Sequence, residues 1–133
     1  MACYLRAYGA TFDVDAFTRT SSLPHDDVWR VGETRSVKWP KAPLTYEDSG
    51  LQMVVGKSED IKGQANEAIA FLKLNGDEIR RLANAAGIDS IKFDFSLWWE
   101  EGVGTQFVGF PPELLRLLGA ANCGLEVSYY GVG

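Results

Sequence analysis

One stretch, Ile91 to Trp99, constrains this chain more than any other. Its residues alternate with period two: Ile91, Phe93, Phe95, Leu97 and Trp99 fall on one side, and Lys92, Asp94, Ser96 and Trp98 on the other. Successive side chains of a strand point to opposite faces. The first face is apolar throughout and has to be covered, and packed helices are the natural cover. The chain supplies them. From Asp60 onward Ala65, Ala68, Ile69 and Leu72 recur at three- and four-residue steps, the spacing of a helix stripe. Asn75-Gly-Asp-Glu78 then has the form of a second N-cap with its acidic partner three residues on. That divides the region into two helices, about 61–73 and about 76–86, the second facing inward with Ile79, Leu82, Ala83 and Ala86. Gly87 stands where a glycine commonly ends a helix.

The remaining elements follow from the same two periods. Cys3 to Gly9 reads as a strand, with Cys3, Leu5 and Ala7 on one face and Tyr4, Arg6 and Tyr8 on the other. Asp13 is a good N-cap for a short helix carrying Val14 and Phe17 inward, with Leu23 beyond it, and Pro24 stops the segment. Asp27 to Arg35 alternates again, placing Trp29 with Val31, while Gly32-Glu33 marks a bulge or turn. Here Trp29 anchors the strand by burial, and Gly32 allows a backbone that a Cβ would obstruct. Trp39 to Gly50, with Pro40, Pro43 and Glu-Asp-Ser-Gly, reads as a surface loop before a short strand from Leu51. Pro111-Pro-Glu-Leu-Leu-Arg-Leu-Leu-Gly119 has proline at the start and glycine past the end of a helix. Leu125 to Tyr130 closes the chain as a strand, with Leu125, Val127 and Tyr129 toward the core.

The order is β-α-β-β-α-α-β-α-β in a single domain over residues 1–133. We expect an α+β fold in the ferredoxin-like order β-α-β-β-α-β with an appended α-β unit. Its helices pack on one face of a mainly antiparallel sheet. The expected core is Leu5, Ile69, Leu72, Phe93, Phe95, Leu97, Leu114, Leu117 and Val127.

Three segments carry a family resemblance: Cys3-Tyr-Leu-Arg-Ala-Tyr-Gly, Asp13-Val-Asp-Ala-Phe, and Val28-Trp-Arg-Val-Gly-Glu. With Pro112-Glu-Leu-Leu-Arg-Leu-Leu-Gly and a last strand ending in Tyr-Tyr, they resemble the bacterial domain of unknown function 4279 family over nearly the whole chain. Residues 39–57 depart most from that family's pattern. The resemblance implies a fold and a bacterial origin. It implies no activity, because the family brings none with it.

Chemistry is mostly excluded. Thirteen Lys and Arg against 18 Asp and Glu leave a net charge of −5, which argues against nucleic acid as a partner. A single histidine, His25, rules out mechanisms that need two. Metal-ligand spacings such as Cys-x-x-Cys or His-Glu-x-x-His are missing, and Gly102-Val-Gly-Thr-Gln-Phe-Val-Gly is no dinucleotide fingerprint, so no metal and no cofactor is expected. Cys3 and Cys123 read as reduced, core-type thiols, although strand placement also allows a bridge. The first residues lack a signal-peptide pattern, and no apolar run nears the ~20 residues that span a bilayer. Together these read as a cytoplasmic protein without a membrane partner.

What remains is a surface. With helices on one side of the sheet, Tyr4, Arg6, Tyr8, Lys92, Asp94, Trp98, Glu126, Ser128 and Tyr130 emerge on the other. The leading expectation is a non-catalytic protein-binding module, of which an immunity-type protein is one form. Tyr4, Tyr8, Trp98 and Tyr130 would be its anchors, and Asp94, Glu100, Glu101 and Glu126 would steer a basic partner. The alternative is a carbohydrate- or small-molecule-acting enzyme using Glu33, Glu100 or Glu101 near Trp98, which a deep cleft would favour. A third is association of copies through an edge strand.

Overall fold

The computed structural model describes residues 2–35, 43–102 and 104–131. Its elements are β1 (Cys3–Gly9), α1 (Val14–Thr20), β2 (Asp27–Trp29), β3 (Ser49–Gly56), α2 (Ile61–Ala83), β4 (Ser90–Trp99), α3 (Pro112–Ala120) and β5 (Gly124–Gly131). The fold is α+β, with five strands in one sheet in the order β2-β3-β1-β4-β5. β1 runs antiparallel between β3 and β4, and β2 lies antiparallel on β3. β5 is parallel to β4. The sheet is therefore mixed. The cause is α3, which carries the chain back across the sheet, so that β5 starts at the same end as β4.

Alternation sets the core. Cys3, Leu5 and Ala7 of β1, Leu51 and Met53 of β3, and Phe93 and Phe95 of β4 are buried together. Val14, Phe17, Ala65, Ala68, Leu72, Leu114 and Leu118 from the helices join them. Ile69 and Leu117 are only partly buried, at the margin of this cluster. Val127 lies partly exposed on the outermost strand and does not reach it.

The expected break between two helices does not exist: α2 is continuous through Asn75 and Gly76. Ile79 and Leu82 extend the buried stripe of Ala65, Ala68 and Leu72, and both are fully enclosed. Each such burial is worth roughly 1.5–3 kcal/mol, against about 1 kcal/mol for a glycine in a helix interior. Asn75 meanwhile turns its side-chain amide onto the Phe71 carbonyl one turn back, at 3.1 Å, instead of capping a new start. Two other glycines also act differently from expectation. Gly119 is inside α3, and Asn122, with φ of 60°, makes the left-handed turn after it. Gly87, with φ of 88°, lies beyond the Asn84 cap of α2 and packs its backbone against that of Thr11 and Phe12, where a Cβ would collide.

At the β2 corner the strand stops at Trp29, so Val31 is exposed in the turn and is not paired with it. Trp29 stacks on Tyr46 with ring centroids 5.8 Å apart and donates to Asp48 at 2.8 Å. Gly32 has open space where a Cβ would go; what its position demands is φ of 86°, a left-handed backbone. The loop expected over 39–50 falls partly on residues 36–42, outside the described residues, while Ser49 and Gly50 already belong to β3.

One side-chain device extends β4. The register of β1 ends at Tyr4 opposite Asp94, so β1 offers no strand partner to Ser96. Gln64 of α2, wholly buried, takes that place. Its amide accepts from the Ser96 N–H at 3.0 Å and donates to the Ser96 carbonyl at 2.8 Å. A side-chain amide thus stands in for a peptide unit and satisfies backbone groups that would be orphaned. The final turn-free residues of β4, Trp98 and Trp99, follow directly.

Candidate interaction surface

The side chains of β1 and β4 that alternate with the core residues form a second face. At its centre Arg6 reaches both ways across the sheet. Its Nε donates to Gln52 of β3 at 2.6 Å and its Nη1 to Asp94 of β4 at 2.6 Å. Ser128 of β5 donates to the same Asp94 carboxylate at 2.7 Å. Four neighbouring strands are thereby tied by one chain of polar contacts. Beside it, Lys92 Nζ lies 3.0 Å from Glu126 and 3.2 Å from the Tyr8 hydroxyl, and Arg6 is 3.7 Å from Glu126. The Glu126 and Tyr8 contacts hold the Lys92 pKa above its usual value. Hydrogen bonds with Ser90 and Lys92 lower that of Tyr8. Arg6 also lies over the Tyr4 ring, 5.5 Å from its centroid.

This arrangement corrects part of the sequence expectation. Asp94 is 0% exposed, and its charge is met by Arg6 and Ser128, so it cannot present a carboxylate to a partner. Glu126 is balanced by Lys92 in the same way. Tyr4 and Tyr8 are half-buried and engaged with Arg6 and Lys92. Two cations and two carboxylates answer one another here.

The far end of the same strands is different. Trp98 is 51% exposed and Tyr130 43%, with centroids 6.2 Å apart in an edge-to-face pair. They are register partners across β4 and β5. On the opposite face Trp99, 40% exposed, and Tyr129, 52% exposed, make a second edge-to-face pair at 5.7 Å. Sequence alternation assigned Trp99 and Tyr129 to the core side, but the buried cluster stops short of the strand ends. Glu100 and Glu101 follow on the loop, both exposed, so they flank the rings as expected. Gln106 donates to the Trp98 carbonyl at 3.3 Å and holds that loop against the strand. The second aromatic pair and the Gln64 support were missed, since only the register across β4 and β5 and the packing of α2 disclose them.

The candidate catalytic residues Glu33, Glu100, Glu101 and Trp98 are absent from the lining of four surface clefts of about 240–400 Å³ among the described residues. Glu33 is exposed and pairs with Arg30 at 3.4 Å. His25 is exposed in its turn, with its Nδ1 3.2 Å from the Leu23 carbonyl. Among the described residues no cluster of three or more His, Cys, Asp or Glu is placed to hold a metal, and no helix is long and apolar enough to cross a membrane. Cys3 and Cys123 are both free thiols. Burial raises the pKa of each, that of Cys123 to about 12, so neither is a ready nucleophile.

No curated protein and no solved structure matches this chain. A family model does: the one described as Domain of unknown function (DUF4279) matches residues 1–132 of the 133, and the chain belongs to that family.

Proposed function

We propose that this protein is a non-catalytic protein-binding module that meets its partner with the aromatic end of β4 and β5. The observation that carries this is the pair of ring pairs there, Trp98–Tyr130 and Trp99–Tyr129, half-exposed on the two faces of one strand end. Scattered exposed apolar residues are ordinary, whereas exposed aromatic pairs on both faces of one sheet end concentrate apolar surface in the way interaction sites do. Tryptophan and tyrosine dominate the contacts that carry binding energy. Glu100 and Glu101 form the acidic rim and favour a basic partner, with effects on association rate more than on lifetime.

The sheet order supports a ferredoxin-like reading of the scaffold: β2-β3-β1-β4 has antiparallel neighbours throughout, with α3 and β5 added at its side. On that reading the binding end is made where the α3–β5 unit joins the four-stranded part.

Affinity capture from the native host, with wild-type protein and the Trp98→Ala/Tyr130→Ala variant as baits, tests the proposal. Both baits are first checked for folding by thermal melting. We expect a partner held by the wild type and lost by the variant, with a raised dissociation rate in surface plasmon resonance. Equal capture by the two baits would retire the aromatic end as the binding surface.

A further inference from the structure

We infer that the outer edge of β5 is a strand-pairing surface whose occupant is a second copy of this chain, placed antiparallel across a two-fold axis. The inference rests on the two edges of the sheet and does not depend on the aromatic end being a partner site. β2, at one edge, is three residues long and begins with the exposed Asp27. Short, charged edges are how sheet proteins avoid pairing with other chains. β5, at the other edge, is long, and its one charge is compensated within the chain. It is eight residues long and pairs with β4 at eight consecutive positions without a register shift. Its sequence, Gly124-Leu-Glu-Val-Ser-Tyr-Tyr-Gly131, holds no proline and no lysine. Among the described residues no strand or bridge lies on its outer side.

The charge at the edge permits a second copy, and the strand's own register favours one. The whole chain carries −5 and two copies repel at long range, but the edge itself is locally neutral. Its one charged residue, Glu126, is answered by Lys92 at 3.0 Å within its own chain. In an antiparallel pair, directly opposite residues share a face. A two-fold axis must then pass through a residue position, and Val127 or Ser128 keeps the overlap longest. Through Ser128, Val127 meets Tyr129 of the second copy and Glu126 meets its Tyr130. Through Val127, Glu126 meets Ser128 of the second copy. Neither register sets Glu126 against itself. Aromatic and β-branched side chains placed opposite one another are favourable cross-strand pairs. The strand is thus complementary to itself, and the two sheets join into one of ten strands.

Sedimentation from about 1 µM to about 1 mM, spanning weak to moderate affinities, together with amide hydrogen exchange, tests this on the wild-type chain. We expect the mass to double within that range, and protection of alternate β5 amides to rise with concentration. Tyr129→Lys, at a position 52% exposed and with its folding first checked by thermal melting, should weaken self-association at least about tenfold. Leu74→Lys, exposed on α2, should leave it unchanged. A monomer throughout, a dimer whose new protection lies away from β5, or a Tyr129→Lys protein that pairs as before would each overturn the inference. So would β5 amides that become protected only when a different protein is added. The aromatic-end proposal has a separate fate: a monomer that still loses its captured partner in the Trp98→Ala/Tyr130→Ala variant refutes self-pairing alone.

Discussion

The polar middle of the second sheet face and the aromatic β4–β5 strand end are both expected from sequence to meet a partner, and they behave differently. In the middle, Arg6, Asp94, Gln52 and Ser128 contact one another across four strands, and Asp94 is sealed from solvent. At the end, Trp98 pairs with Tyr130 and Trp99 with Tyr129, and each ring residue is 40–52% exposed. Polar residues on the outward side of a strand are therefore no sign of a binding surface by themselves. Where neighbouring strands bring opposite charges into register, those charges belong to the scaffold. The aromatic residues at the end pair with one another and stay 40–52% exposed.

The largest test of that contrast is Arg6→Ala. It leaves the Asp94 carboxylate buried without its cation, and breaking a buried pair from one side costs about 3–5 kcal/mol. Urea denaturation would show this as a lower midpoint. A loss within about 0.5 kcal/mol, the size of an ordinary surface substitution, would mean the network is solvated and the contrast is false. Ser128→Ala comes next, removing one hydrogen bond to a charged group, worth roughly 1.5–3 kcal/mol. Trp98→Ala with Tyr130→Ala removes an edge-to-face pair of about 0.5–1.5 kcal/mol, yet should abolish partner capture. A loss as great as that of Arg6→Ala would show those rings to be core.

Further tests sharpen the picture away from this face. At the β2 corner Gly32→Ala forces a left-handed backbone on a residue with a Cβ and should cost roughly 1–2 kcal/mol. Glu33→Gln, in an exposed pair with Arg30, should leave the melting temperature unchanged. At the end of β3, Glu67 accepts from the Lys57 and Ser58 N–H groups, and hydrogen bonding with Ser58 and Lys57 lowers its pKa from 4.5. Its contribution to stability is complete above the unfolded value of 4.5 and disappears as pH falls through the lower folded value. Acid titration of Glu67→Gln should accordingly show a shallower loss of stability in that window than the wild type.

Much of the architecture was readable because its causes are local. The alternation of Phe93, Phe95 and Leu97 gave β4 and its buried face, and Asp13 caps α1 with its carboxylate on the Ala16 N–H. The misreading of α2 shows where locality fails. Asn75-Gly76 is a genuine local start signal, but the packing of Ile79 and Leu82 outweighs it. The candidate surface was half legible. Trp98, Tyr130, Glu100 and Glu101 are where alternation put them, exposed at a strand end. Asp94 was misjudged because the partner that closes over it, Arg6, lies 88 residues away in sequence.

By itself the sequence determined the two periods, the helix starts at Asp13, Asp60 and Pro112, and the set of apolar side chains that must be covered. Each of these depends on neighbours within a turn or two, where sterics and hydrogen bonding act directly on the backbone. Only the tertiary structure decided that β5 lies parallel to β4 at an open edge, that Gln64 completes the backbone bonding of Ser96, and that Arg6 stands across from Asp94. These depend on strand order and register, which minimise exposed apolar surface and unpaired charge over the whole chain at once. No short segment contains that balance.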